Sequence, residues 1–131
     1  MYDDSMASVR IVGGSVNVTA GDEVELLHAV YESGPVSICY RVDGDFRDYK
    51  TGVWRMDNCP NTDQDVNHAV VAVGFGTEDG MDYWLVKNSW GSSWGDKGFF
   101  KIQRGVNMCG VAMCNSYPVD IVPLTVSEFT Q

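Results

Sequence analysis

Asp65–Gly91 reads DVNHAVVAVGFGTEDGMDYWLVKNSWG, and the fold turns on how this stretch pairs with itself. Two apolar runs, His68–Phe75 and Tyr83–Asn88, are rich in valine and aromatic residues, and the turn formers Thr77–Gly80 separate them. That pattern predicts a β-hairpin. With the loop centred on Glu78, paired residues have numbers summing to 156, which sets His68 directly opposite Asn88. Residues so opposed share a sheet face, with Cβ atoms about 4.5–5.5 Å apart. In that register a carboxamide oxygen accepts a hydrogen bond from one imidazole nitrogen and fixes the tautomer. The other ring nitrogen is then free to act on a nucleophile, with Trp90 close by.

Working outward, Val9–Val12 and Ser15–Thr19 read as short strands broken at Gly13-Gly14. Asn17-Val18-Thr19 is an N-glycosylation sequon, so Asn17 is a possible glycan acceptor if the chain is secreted. Asp22–Glu32 (DEVELLHAVYE) predicts a helix with acidic residues at its N-terminus, an apolar stripe of Val24, Leu27, Val30 and Tyr31, and a stop at Gly34-Pro35. His28 lies off that stripe and reads as a surface residue. Val36–Tyr40 is the next strand, followed by a helical turn near Asp45–Tyr49 and a strand beginning at Thr51–Trp54. Cys59–Asp65 is a loop, Gly91–Gly98 a glycine-rich loop holding Trp94, and Phe99–Arg104 a strand. Asn107–Cys109 turns the chain, and Val111–Tyr117 is expected to return as the last core strand. One helix with about six strands predicts an α+β domain, mainly antiparallel and barrel-like.

The 131 residues suit a single domain with one core, and 44% hydrophobic content excludes a disordered chain. A net charge of −9 without any basic cluster argues against nucleic acid or an anionic membrane as partner. The longest apolar run is too short for a membrane span, and Met1–Ser5 has neither the basic nor the apolar region of a signal peptide. Residues 1–8 are expected to be poorly ordered. The four cysteines, Cys39, Cys59, Cys109 and Cys114, lack metal-site spacing, and with only His28 and His68 for company no metal or other cofactor is expected. Disulfides fit better, and they imply an oxidising compartment. Disulfides without an export signal suggest that the chain is part of something longer.

The blocks NHAVVAVGFG and WLVKNSWGSSWG resemble those that carry the catalytic His and Asn of the papain-like cysteine peptidases. The likeness runs from about Val9 to Pro118 and implies the C-terminal, right-hand half of that fold over residues 1–131. By that match His68 is the general base, Asn88 orients it, and Trp90 shields their hydrogen bond from water. Cys59 and Cys109 match the disulfide across this domain, while Cys39, Ala69 and Cys114 match positions lining the S2 pocket. No cysteine has the neighbours of the family's nucleophile, so the helical left-hand half, with that Cys and the oxyanion-hole Gln, has no counterpart here. The resemblance thus implies a partner, the left-hand half, and peptide or protein substrates.

Cys114, in MCGVAMCNSYP, resembles the cathepsin H and aleurain branch, where a cysteine here is disulfide-bonded to a propeptide remnant, the mini-chain. That remnant favours substrates with a free N-terminus, which implies an aminopeptidase with limited endopeptidase activity. Cys39 departs from the branch and could pair with Cys114. The alternatives are a cathepsin L-like endopeptidase half, and a non-catalytic pseudo-peptidase or binding module. The resemblance further implies a lysosomal, vacuolar or extracellular location for the full-length precursor.

Overall fold

The computed structural model describes residues 9–123 and resolves them into two compact units, one spanning Asn17–Tyr117 and the other formed by residues on either side of it. The second unit contains a two-stranded ribbon, in which β1 (Val9–Ile11) pairs antiparallel with β9 (Ile121–Pro123). Backbone bonds extend it through Val12 N–H to Asp120 O and Gly13 N–H to Val119 O. Residues 1–8 lie outside the described residues.

The other described elements are β2 (Ser15–Asn17), α1 (Glu23–Ser33), β3 (Val36–Tyr40), β4 (Val53–Trp54), β5 (His68–Glu78), β6 (Met81–Lys87), β7 (Phe99–Gln103) and β8 (Ser116–Pro118), with 3-10 turns at Gly44–Asp48 and Met108–Gly110. The sheet order is β2-β8-β3-β5-β6-β7-β4, antiparallel where β3, β5, β6 and β7 meet and parallel between β4 and β7. This is the mainly antiparallel α+β class with one α-helix expected from the sequence. The sheet ends on β2 and β4, so the expected barrel is not closed.

Asp22 caps α1, its carboxylate accepting from the N–H groups of Val24 and Glu25 at 3.0 and 2.9 Å. The buried stripe is not the expected one. Leu26, Ala29 and Val30 face the core, whereas Val24 and Tyr31 are 69% and 77% exposed. Glu23 explains the rotation. It lies three residues before Leu26, and its carboxylate accepts from the indole N–H of fully buried Trp84 at 2.7 Å and from the Gly105 N–H at 2.9 Å. A third donor is the Asn107 N–H. An acidic residue therefore belongs to the inward face, which counting apolar residues could not reveal.

The hairpin also differs in register. Its turn is the two-residue Asp79-Gly80, with φ of 50° and 78°, the positive pair that a type I′ turn needs. From Glu78↔Met81 to Gly74↔Leu85 the paired numbers sum to 159. Between Ala72 and Gly74 one extra residue, Val73, enters β5, and beyond it Ala72↔Val86 and Val71↔Lys87 sum to 158. Such a bulge reverses which alternate residues face inward. Val70, Ala72, Trp84, Val86 and Asn88 are all buried.

Val111–Tyr117 is not a strand throughout, because only Ser116–Pro118 pairs. Asn107 and Cys109 hold φ of 46° and 53°, and consecutive turn bonds join Gly110 to Asn107, Val111 to Met108 and Met113 to Gly110. Val111 and Ala112 are nonetheless buried, so the apolar run was read correctly as core and wrongly as extended.

Candidate active site

His68 opens β5 opposite Tyr40 of β3, and Asn88 follows the last residue of β6. They are not direct cross-strand partners. The bulge sets Asn88 one pleat from His68 on the same face, and their side chains meet diagonally. His68 Nε2 lies 2.9 Å from Asn88 Oδ1. The same oxygen accepts from the Ser89 backbone N–H at 2.8 Å, and that group can only donate. The carboxamide is thereby oriented, so Nε2 carries the proton and donates. Nδ1 has no partner among the described residues and is the nitrogen left to take up or release a proton.

Three contacts hold this pair. Asn88 is 7% exposed, and its N–H donates to Gly98 O at 2.9 Å. The Trp90 ring lies 5.1 Å from the imidazole at 30°, and Tyr40 meets the imidazole edge-on at 5.8 Å. Trp90 in turn rests on an aromatic cluster, 4.9 Å from Trp94 and 6.0 Å from Phe46, with the Arg47 guanidinium 5.7 Å over its ring. Packing against rigid rings limits the motion of the imidazole. Burial pushes the Tyr40 phenol well above its ordinary pKa, so it stays neutral beside His68.

A cleft of about 270 Å³ opens at this point, lined by Val42, Arg47, Asn67, His68 and Trp90. Asn67 fixes one wall, accepting from the Val42 N–H at 2.8 Å and donating to Val42 O at 3.2 Å. Sequence reasoning passed over Arg47 and the clamping role of Asn67, since neither has a pattern that separates it from an ordinary surface residue.

Cys59 and Cys109 form a disulfide with Cα atoms 5.1 Å apart, tying the loop before His68 to the Met108–Gly110 turn. Cys39 is the direct partner of Ala69 across β3 and β5, and Cys39 and Cys114 are both free thiols. Asn17 ends β2 and is exposed. His28 is on the surface, 3.8 Å from Glu32. Among the described residues no three His, Cys, Asp or Glu side chains cluster as metal ligands would, and no helix is long and apolar enough to cross a membrane.

The family model described as papain family cysteine protease matches residues 2–119. The chain belongs to the papain family of cysteine proteases. As a papain-family chain it is 60% identical to pro-cathepsin H of Medicago truncatula over 118 residues, which is 90% of this chain and 33% of that protein. It is also 60% identical to the thiol protease aleurain of Arabidopsis thaliana over 105 residues, 80% of this chain and 29% of the relative. Among solved structures it resembles digestive procathepsin L 3 of Tenebrio molitor, with a TM-score of 0.80 and 36% identity over 89% of this chain and 38% of that one. The chain thus spans about a third of the length of the curated relatives it matches.

Proposed function

We propose that this chain supplies the imidazole and carboxamide of a cysteine peptidase of the cathepsin H and aleurain type. The observation that carries the reading is the 2.9 Å contact between His68 Nε2 and Asn88 Oδ1, with Nδ1 left without a partner, in a papain-family chain. The reaction is acyl transfer. A thiolate on the left-hand half, a separate segment, attacks the peptide carbonyl. His68, as imidazolium, protonates the departing amine through Nδ1, and the acyl group remains on sulfur as a thioester. Water then hydrolyses the thioester with His68 as base. Asn88 holds the ring through both steps, and Trp90 keeps water from their hydrogen bond. Without the thiolate, the chain by itself is inert.

Cys39, Ala69 and Cys114 line the substrate pocket, and a propeptide remnant on Cys114 restricts cleavage to substrates with a free N-terminus. The 60% identity to pro-cathepsin H favours this over a cathepsin L-like endopeptidase, since the procathepsin L structures are 36% and 40% identical. The compartment is a lysosome or vacuole, and Asn17 is a candidate glycan acceptor.

The test reads the transcript upstream of Met1, where a start codon at Met1 favours the non-catalytic module; a left-hand half found there is joined to this chain and assayed on paired peptides with free and blocked N-termini. Turnover of the free form that is abolished by His68→Ala supports the reading. Unchanged turnover after that substitution removes His68 from the mechanism, and equal cleavage of blocked peptides replaces the aminopeptidase with an endopeptidase. An upstream segment whose nucleophile position holds Ser or Gly makes the chain a non-catalytic module.

A further inference from the structure

Ser37 of β3 is the antiparallel partner of Ser116 of β8, so paired positions on these two segments sum to 153. Cys39 lies two residues beyond Ser37 and Cys114 two residues before Ser116, in the bend that leads into β8, and the two thiols are neighbours. Cys39 alternates with buried Val36, Ile38 and Tyr40 and so faces the other side of β3. Ala69 pairs with Cys39 across β3 and β5; Cys39 is partly buried, and Cys114 is exposed. The Cys39 thiol is partly buried and has the Cys114 thiol as its hydrogen-bonding neighbour, and both effects hold it protonated. Among the described residues these are the only free cysteines.

We infer that Cys39 is a resolving thiol for any disulfide made at Cys114. An exposed thiol accepts an external disulfide first. Cys114 displaces one half of it as a thiol and leaves a mixed disulfide between Cys114 and the other half. Cys39 then gives up its proton, and the resulting thiolate attacks the Cys114 sulfur. The Cys39–Cys114 bond forms, the mixed disulfide breaks, and the external group departs as a thiolate that takes the proton Cys39 has lost. One S–S bond is exchanged for another, so the second step needs no further oxidant. A peptide remnant disulfide-bonded to Cys114 is expelled by the same exchange, so the Cys39–Cys114 bond replaces the remnant and ends the restriction to free N-termini. That last statement rests on the cathepsin H reading above, whereas the pairing itself does not.

The experiment uses oxidised glutathione as the external disulfide. The chain, with Cys59–Cys109 intact, is incubated with it, desalted, quenched in acid and mapped by mass spectrometry without reduction. The unaltered chain is expected to yield a peptide linking Cys39 to Cys114. Its glutathione adduct on Cys114 should be at least about tenfold lower than in Cys39→Ser, because a neighbouring thiol acts at an effective concentration of roughly millimolar. Cys114→Ser should give no linked peptide. An adduct on the unaltered chain as abundant and lasting as on Cys39→Ser overturns the inference, as does alkylation of both thiols after oxidation. Mapping the unaltered chain needs no substitution, so a variant that fails to fold does not blunt the test. No peptidase activity enters the readout, so its failure is separate from failure of the proposed function, whereas a Cys39–Cys114 link counts against a lasting remnant on Cys114 and for the endopeptidase.

Discussion

Glu23 offers the sharpest test of how the helix is held. Its carboxylate takes three donors: the Trp84 indole at 2.7 Å, the Gly105 N–H at 2.9 Å and the Asn107 N–H. Glu23→Ala leaves all three without that acceptor. Gly105 and Asn107 border an open cleft with Thr19–Val24, so water can replace the acceptor there, and each loss is about 0.5–1 kcal/mol. Trp84 is 0% exposed, and an indole N–H stranded there costs about 1–3 kcal/mol. Losing an acidic residue from the first turn adds a few tenths. The sum is about 2–5 kcal/mol, or a fall of roughly 1–2.5 M in the urea midpoint at a slope of about 2 kcal/mol/M. Urea unfolding followed by far-ultraviolet circular dichroism measures it. A double-mutant cycle with Trp84→Phe isolates the indole contact, with an expected coupling of about 1.5–2 kcal/mol. A midpoint unchanged by Glu23→Ala, or a coupling below about 0.5 kcal/mol, refutes the argument that this carboxylate sets the helix rotation.

Replacing Cys59 and Cys109 together by Ala opens a loop of 50 residues and should cost about 4 kcal/mol by the chain-entropy estimate, read as a lowered thermal midpoint. Gly110→Ala should destabilise by about 2 kcal/mol or more. The glycine has φ of 80°, and an added Cβ would lie 2.9 Å from Val66 Cγ1, so a midpoint within error of the parent would contradict it. Stability should also decline on the alkaline side. Burial, with Cys114 alongside, pushes the Cys39 thiol from 9.0 up to about 11. A group raised in the fold contributes fully below its unfolded value and loses that contribution as pH rises through the folded one. Denaturation midpoints at pH 8 and 10.5 should therefore differ, and Cys39→Ala should reduce the difference. In the joined enzyme, Asn88→Ala should lower turnover less than His68→Ala, because it orients the ring and does not exchange a proton.

Much of the fold was legible because its signals are local. The β3, β5 and β7 segments alternate, Asp22 caps a helix, and Gly34 ends it with φ of 93°. The misreadings arose where a local rule meets a single distant partner. The helix stripe was turned because Glu23 answers to Trp84, a residue 61 positions away. The register was shifted because Asp79-Gly80, not Glu78, makes the turn, and because an inserted residue leaves no compositional trace. β9 escaped notice because its partner, β1, lies at the other end of the chain. The candidate site was legible through resemblance, and the two cysteines on neighbouring segments became a pair only once the β3–β8 alignment was known.

Val73 has a consequence for engineering. On the His68 side of it, even-numbered residues of β5 share a face with even-numbered residues of β6; on the turn side, odd-numbered residues do, as Phe75 opposite Trp84 illustrates. Anyone transplanting the imidazole and carboxamide onto a regular two-stranded scaffold with the same turn would find them back to back. The graft must carry the surplus residue with it, and moving that residue to any point between the turn and Ala72 should work as well, since only the parity it corrects matters.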